Sequence, residues 1–382
     1  ATTEAPASSA AGGPASGTPI RLGVAFALSG GGPAVLGQDQ VVGATVAAEY
    51  FNANGGVNGR PIEIVQQDTL IDEAGAINAF NALVADQTIV GIVGPTLSQQ
   101  ALAADPIADK AGVPVVAASN TAKGIPDIGD FVARVSAPVS VVAPSAIAQA
   151  LKVNPAIKKA VVAFAQNDAF AKSETGVFQQ AVTDAGIELS QPVLTFQTTD
   201  TDFTTQVNAI LDAAPQLVVI SGLATDGGNL VRQLRESGYT GTIVGGNGFN
   251  TRNIFPVCQM SCDGLIIAQA YSYSYQSPAN DAFRAAYKAQ KGVEPLQLAA
   301  QAFTAVQVFV DALTRLDSES PLADMDINTL RTSLNETILS GTYDTVLGPL
   351  SFEPNGEVVQ KQFYVAQVKM TSAEEGDFTY LT

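Results

Sequence analysis

The chain contains no histidine and no tryptophan, and only two cysteines and three methionines among its 382 residues. Without histidine the commonest general base and the commonest metal ligand are gone. Ser-His-Asp and Cys-His arrangements go with them. Two thiols without imidazole cannot complete a tetrahedral zinc site. Neither G-x-x-x-x-G-K-[ST] nor G-x-S-x-G occurs, and Gly30-Gly31-Gly32-Pro33 is a turn rather than the G-x-G-x-x-G of a dinucleotide site. An enzyme is therefore not expected, nor a cofactor. Positive charge is also scarce: 19 Lys and Arg against 36 Asp and Glu leave a net charge of −17. That balance argues against nucleic acid and against anionic membrane surfaces as partners. It does not constrain a small ligand, which meets only its local field. No apolar run reaches the ~18 residues of a membrane span.

What is present is apolar and alternating. Hydrophobic residues make up 46% of the chain, enough for sizeable cores, and the length suits two domains. Ala1 to Thr18 is Ala, Ser, Gly, Pro and Thr almost throughout, with one charge at Glu4. It buries too little to fold, so residues 1–18 are expected to be a disordered tether. Strand and helix patterns then alternate: strands at Ile20–Ala27 and Pro61–Gln67, helices at Leu36–Asn52 and Asp72–Ala85. In the middle of the chain, strands at Lys159–Ala165, Val193–Phe196, Leu217–Ser221, Thr242–Gly246 and Leu265–Tyr271 are separated by helical segments. Two helices, Ala279–Lys291 and Leu298–Leu316, and a strand at Gln362–Val368 close the chain. The two cysteines, Cys258 and Cys262, are four apart. That spacing allows the ~5.5 Å Cα separation of a disulfide, which would fit an oxidising compartment. Two reduced, buried thiols are the alternative.

The most informative stretch is Ile89 to Ala122. Ile89–Val93 reads as a buried strand and Leu97–Lys110 as a helix, with Leu102, Ala103, Pro106 and Ile107 on its apolar face and Pro106 expected to kink or shorten it. Val113–Ala117 is a second strand, ending in Ala118-Ser119-Asn120-Thr121. Strand–helix–strand units build parallel sheets, and ligands bind beyond the carboxyl ends of such strands. Thr96-Leu97-Ser98 and Ser119-Asn120-Thr121 fall there. Their hydroxyls, with the N–H groups of a helix start, suit a small anion such as a carboxylate. Taken singly, Ser98 and Thr121 read first as caps or turn residues; the pair, after adjacent parallel strands, favours a ligand.

Gly94-Pro95-x-x-Ser98 followed by a Gly112-x-Pro114 strand ending in Ala118-Ser119-Asn120-Thr121 resembles the periplasmic leucine/isoleucine/valine-type amino-acid-binding proteins. The likeness runs from Ile20 to about Val368. It includes the opening loop at Ser29, the Asn54-Gly55-Gly56 helix end, and Val346-Leu347-Gly348-Pro349-Leu350-Ser351-Phe352. The resemblance implies an α/β, type I periplasmic-binding-protein fold. Its two doubly wound parallel-sheet lobes are joined by a three-strand hinge near Ser140, Tyr271 and Val346. Lobe 1 would hold residues 19–140 and 271–346, and lobe 2 residues 141–270 and 347–382. It implies that Ser98 and Thr121 hold a ligand carboxylate and that Ser119 offers a carbonyl to an ammonium. Phe170 and Leu223 would close over the ligand, while Leu36 and Leu298 would line a side-chain pocket. Asn247 departs from the resemblance: the family commonly has an acid there for the ammonium. Asp226 ahead of Asp168 is the expected replacement, helix capping being the plainer role for both. The second possibility is an ammonium resting on neutral acceptors, and the third a ligand without ammonium. Tyr271, Tyr273 and Tyr275 alternate along an extended stretch, and Tyr271 is the one expected near the cleft.

The implied function is an extracytoplasmic receptor that captures a small neutral or branched-chain amino acid and delivers it to an ABC permease; a monomer is expected. A lipid anchor on an upstream cysteine absent from this sequence is part of that expectation. The alternatives are a receptor for urea, short amides or small carboxylates, and a ligand-sensing ectodomain.

Overall fold

The computed structural model describes residues 13–381. In chain order its elements begin with β1 (Ile20–Phe26), α1 (Ala34–Ala53), β2 (Ile62–Asp68), α2 (Glu73–Ala85), β3 (Ile89–Val93), α3 (Ser98–Lys110), β4 (Val115–Ala117) and β5 (Val132–Arg134). Next come α4 (Val139–Val153), β6 (Lys159–Ala165), α5 (Ala169–Asp184), β7 (Glu188–Leu189), β8 (Leu194–Phe196), α6 (Thr204–Ala213), β9 (Leu217–Ser221), α7 (Ala224–Glu236), β10 (Thr242–Gly245), α8 (Phe255–Cys258) and β11 (Ile266–Gln269). The chain finishes with α9 (Pro278–Lys291), α10 (Gln297–Glu319), α11 (Ile327–Leu339), β12 (Thr342–Thr345), β13 (Gly348–Phe352), β14 (Val358–Gln360), β15 (Tyr364–Met370) and β16 (Gly376–Leu381).

The first sheet has the order β2-β1-β3-β4-β5 and is parallel throughout. The second runs β16-β15-β11-β10-β9-β6-β7, with β8 also on β6; only β15 runs antiparallel to its neighbours, β11 and β16. β12, β13 and β14 form a small antiparallel sheet. The parallel strands read as near-continuous apolar runs because helices cover both faces; β3, β4 and β9 are buried along their whole length. Helices α1 and α10 pack closely. A Cβ on Gly43 would fall 2.1 Å from the Ala299 carbonyl oxygen, so only glycine allows that approach.

The chain passes between the sheets three times: after β5, after β11 and after β14. The third passage differs from expectation. β12 and β13 pair as a hairpin across Val346-Leu347, so a boundary at 346/347 would cut a hydrogen-bonded ladder. Gly356 and Glu357 also bond to Arg134 of the first sheet, which places residues 348–360 with the first half of the chain.

Three further expectations change. Ala15, Ser16 and Gly17 donate backbone hydrogen bonds to Asn52 and Gly59, so the tether ends before Ala15; residues 1–12 lie outside the described residues. Apolar burial was too narrow a criterion, because backbone bonding also fixes a chain. In α3 the buried face is Ser98, Gln100, Ala101, Ala104, Asp105 and Ala108, while Leu102 is 47% exposed. Pro106 neither shortens nor ends that helix. It lies on the same exposed face as Leu102, so the carbonyl that lacks an amide partner is on the solvent side of the helix. Finally, α11 and β16 carry too weak a pattern to be read from sequence.

Candidate functional site

The carboxyl ends of both parallel sheets point into one cavity between the two halves. It is lined by Leu36, Thr96, Leu97, Ser98, Ser119, Thr121, Asp168, Phe170, Leu223, Asn247, Gly248 and Leu298. The first sheet supplies the loops after β3 and β4, and the second those after β6, β9 and β10. Nine residues expected at the site from the sequence are thereby brought together: Leu36, Ser98, Ser119, Thr121, Asp168, Phe170, Leu223, Asn247 and Leu298.

The hydroxyl side is built on β3. Gly94 has φ 134° and a Cβ there would meet the Ala25 carbonyl oxygen at 2.1 Å, so glycine lets the strand turn out of the sheet. Buried Gln40 then fixes two neighbours: its Oε1 accepts from Thr96 Oγ1 at 2.7 Å and its Nε2 donates to Ser119 Oγ at 2.8 Å. Ser119 Oγ donates onward to the Thr96 carbonyl at 2.7 Å, so this hydroxyl is used within the protein. Buried Gln100 shapes the start of α3. It accepts the Leu97 N–H at 3.2 Å and donates to the carbonyls of Thr69, Leu70 and Asp72. Ser98 stands in the first turn, where helix N–H groups lack partners. Thr121 Oγ1 is buried and bonds to no described residue. Ser98 Oγ accepts the Ala122 N–H at 3.4 Å, which leaves its own O–H to donate; that O–H and the free Thr121 hydroxyl, beside an open helix start, can receive an anion.

Arg134 holds the Thr121 loop from beneath. It is 1% exposed, and its Nη1 donates to the carbonyls of Asn120 at 2.8 Å and Ala122 at 2.7 Å. Its Nε donates to Glu357 at 2.7 Å.

On the opposite side, Asp168 caps α5, its Oδ1 accepting from Ala171 N at 2.7 Å. Its Oδ2 is buried without a partner. Burial raises the Asp168 carboxyl above the usual carboxylate range, and the Ala171 N–H opposes the rise. Asn247 is tied down by its oxygen: Oδ1 accepts from Gln297 Nε2 at 2.7 Å and from Asn250 Nδ2 at 3.0 Å. The Gln297 bond joins the two halves, as do Lys123 N to Ser173 Oγ at 2.9 Å and Thr251 Oγ1 to Asp39 at 3.1 Å. Leu36, Leu97, Phe170, Leu223 and Leu298 make up the apolar wall.

Three expected residues are not in the cavity. Asn120 is buried in the loop, its carbonyl taken by Arg134 and Ser136 and its Nδ2 donating to the Thr96 carbonyl. Asp226 accepts from Leu223 N through both carboxylate oxygens, at 3.2 and 3.3 Å, capping α7; burial pushes it up to about 7. It borders a neighbouring cavity, which Asp168 also lines. β11 ends at Gln269, so the tyrosines after it do not share one strand face. Tyr271 packs on Phe283, and its hydroxyl donates to Asn280 Oδ1 at 2.9 Å.

Glu174 was not expected. It is buried beneath Asn247, accepting from Asn247 N at 2.8 Å and from Ser221 Oγ at 2.5 Å. Burial pushes its carboxyl up to about 7. Its signal was an acid four residues from both Phe170 and Phe178 on a buried helix stripe. Cys258 and Cys262 are joined as a disulfide with Cα atoms 5.4 Å apart.

Two halves whose strand ends face each other across an apolar, hydroxyl-edged cavity define a solute-binding protein. The chain belongs to the periplasmic binding protein family, whose model matches residues 19–376. It is 25% identical over 352 residues to the leucine-, isoleucine-, valine-, threonine- and alanine-binding protein of Pseudomonas aeruginosa, covering 90% of this chain and 89% of that one. A leucine-binding protein from Thermotoga maritima superposes with TM-score 0.83 at 24% identity over 94% of this chain and 97% of that one. A solute-binding protein from R. palustris solved with benzoate gives 0.81 at 19% identity, covering 96% of each chain.

Proposed function

We propose that this protein captures a small neutral or branched-chain amino acid between its two halves outside the cytoplasm and delivers it, as a monomer and without chemical change, to an ABC permease. The halves act as lobes that close about the three passages after β5, β11 and β14. The observation that carries the reading is the cavity's division. The Ser98 and unpartnered Thr121 hydroxyls stand at the open start of α3, and an unpartnered Asp168 oxygen and an apolar wall stand across from them. Those groups match a carboxylate, an ammonium and an aliphatic side chain. An upstream lipid anchor remains part of the proposal. A second reading, an amide or a simple carboxylic acid, is favoured by the uncharged Asn247.

A thermal-shift panel of amino acids, urea, short amides and organic acids tests this. A ligand at ~100 times its dissociation constant adds about 2.7 kcal/mol of stability. Stabilisation by leucine, isoleucine or valine is expected. A flat response to every carboxylate-bearing solute defeats the proposal.

A further inference from the structure

We infer that the ligand's ammonium is received by Asp168, and that Asn247 gives a hydrogen bond to a ligand oxygen. The inference rests on the amino-acid reading above and specifies how the site divides between the two ends of that ligand.

The direction of the Asn247 amide is fixed from two sides. Gln297 Oε1 accepts the Ala270 N–H at 2.6 Å. A backbone N–H can only donate, so the Gln297 oxygen must face it and Gln297 Nε2 must face Asn247. Asn250 Nδ2 donates to the Ala268 carbonyl at 3.0 Å. That carbonyl can only accept, so Asn250 also presents its nitrogen to Asn247. Both neighbours therefore require the Asn247 oxygen, which receives both bonds. Its Nδ2 donates to no described residue and is left for the cavity. A donor cannot serve an ammonium, so the group opposite Asn247 is an acceptor. The nearby carboxylate of Glu174 does not supply the charge. It is spent on Asn247 N and Ser221 Oγ and does not line the cavity.

Asp168 is the acid that remains. It lines the cavity, is 1% exposed, and has one oxygen without a partner. A buried carboxylate oxygen with no donor is costly, and an ammonium removes that cost. Asp226 does not compete, because both of its oxygens cap α7.

Calorimetric titration with leucine, isoleucine and valine, each alongside the same acid lacking its amino group, tests the assignment. The wild type should prefer the amino acid. Asp168→Asn keeps a helix cap and should weaken amino-acid binding about 10- to 150-fold, the range of one charge-assisted bond. It should leave the amino-free acid within about threefold. Asn247→Asp sets a carboxylate against a ligand oxygen and should weaken the amino acid too. Unchanged amino-acid affinity in Asp168→Asn, or tighter binding in Asn247→Asp, overturns the inference. If the wild type takes the amino-free acids and refuses the amino acids, the inference fails while a carboxylate-binding role stands. If it takes neither, the amino-acid reading itself has failed.

Discussion

Removing the Arg134 guanidinium should loosen the Thr121 loop and destabilise the protein together. Arg134→Met keeps most of the volume and deletes every polar contact. The carbonyls of Asn120 and Ala122, which flank Thr121, lose donors at 2.8 and 2.7 Å, and Glu357 loses its partner. Breaking a buried charged pair from one side costs about 3–5 kcal/mol, because the groups left behind stay desolvated. Here the Ala122 carbonyl in the interior and one carboxylate are stranded, while the Asn120 carbonyl keeps only its Ser136 bond. The Glu357 side chain is 25% exposed and the Arg134 side chain 1%. Water can therefore replace Glu357 far better than it can replace Arg134. Glu357→Gln should cost about 1–2 kcal/mol, clearly less than Arg134→Met. Urea unfolding of both variants measures the asymmetry. Calorimetry on folded Arg134→Met should show ligand affinity reduced on the order of 10-fold, since binding must then order the loop. Equal costs for the two variants, or less than about 1 kcal/mol for Arg134→Met, would refute the reasoning.

Ser98→Ala should weaken binding of the best ligand about 10- to 150-fold with little change in unfolding, since one charge-assisted bond is lost at the helix start; calorimetry at unchanged affinity would remove Ser98 from the site. Mass spectrometry of protein exported by its own route should find no alkylatable thiol, and two labelled cysteines would reject the Cys258–Cys262 bond. Glu174, ordinarily near 4.5, is held up to about 7 in the folded state, chiefly by burial. Between those values the folded chain keeps a proton that the unfolded chain has lost, so raising the pH favours unfolding. Stability should fall by up to about 3 kcal/mol from pH 4.5 to 7 and then level off, with Asp226 adding in the same direction. Urea midpoints should therefore be higher near about pH 5.5 than about pH 8, and Glu174→Gln should flatten part of that slope; a slope of opposite sign would exclude a protonated Glu174.

By itself the sequence determined the alternation of strand and helix, because each parallel strand is buried on both faces and reads as an apolar run. Strands β3, β6 and β9 fall on the residues their runs mark out. It also marked one side of the cavity, the Thr96–Ser98 and Ser119–Thr121 loops, because ligand loops follow strand ends and strand ends are visible as a change from β-branched to polar residues; Leu36, Phe170, Leu223, Asn247 and Leu298 were implied only by the family resemblance. What it could not determine was the direction of each polar side chain. Asp168 and Asp226 are both acids at helix starts in sequence. Only packing leaves one with a free oxygen in the cavity and spends both oxygens of the other on a cap. Tyr271 and Asn120 are likewise turned away by bonds to Asn280, Thr96 and Arg134 that join distant parts of the chain. The face of α3 was misread because small alanines, not Leu102, fit against its neighbours. Asn247 shows the limit most clearly. Its identity is written in the chain, but whether it offers a donor or an acceptor is decided by Gln297 and Asn250, which only the tertiary fold brings to it.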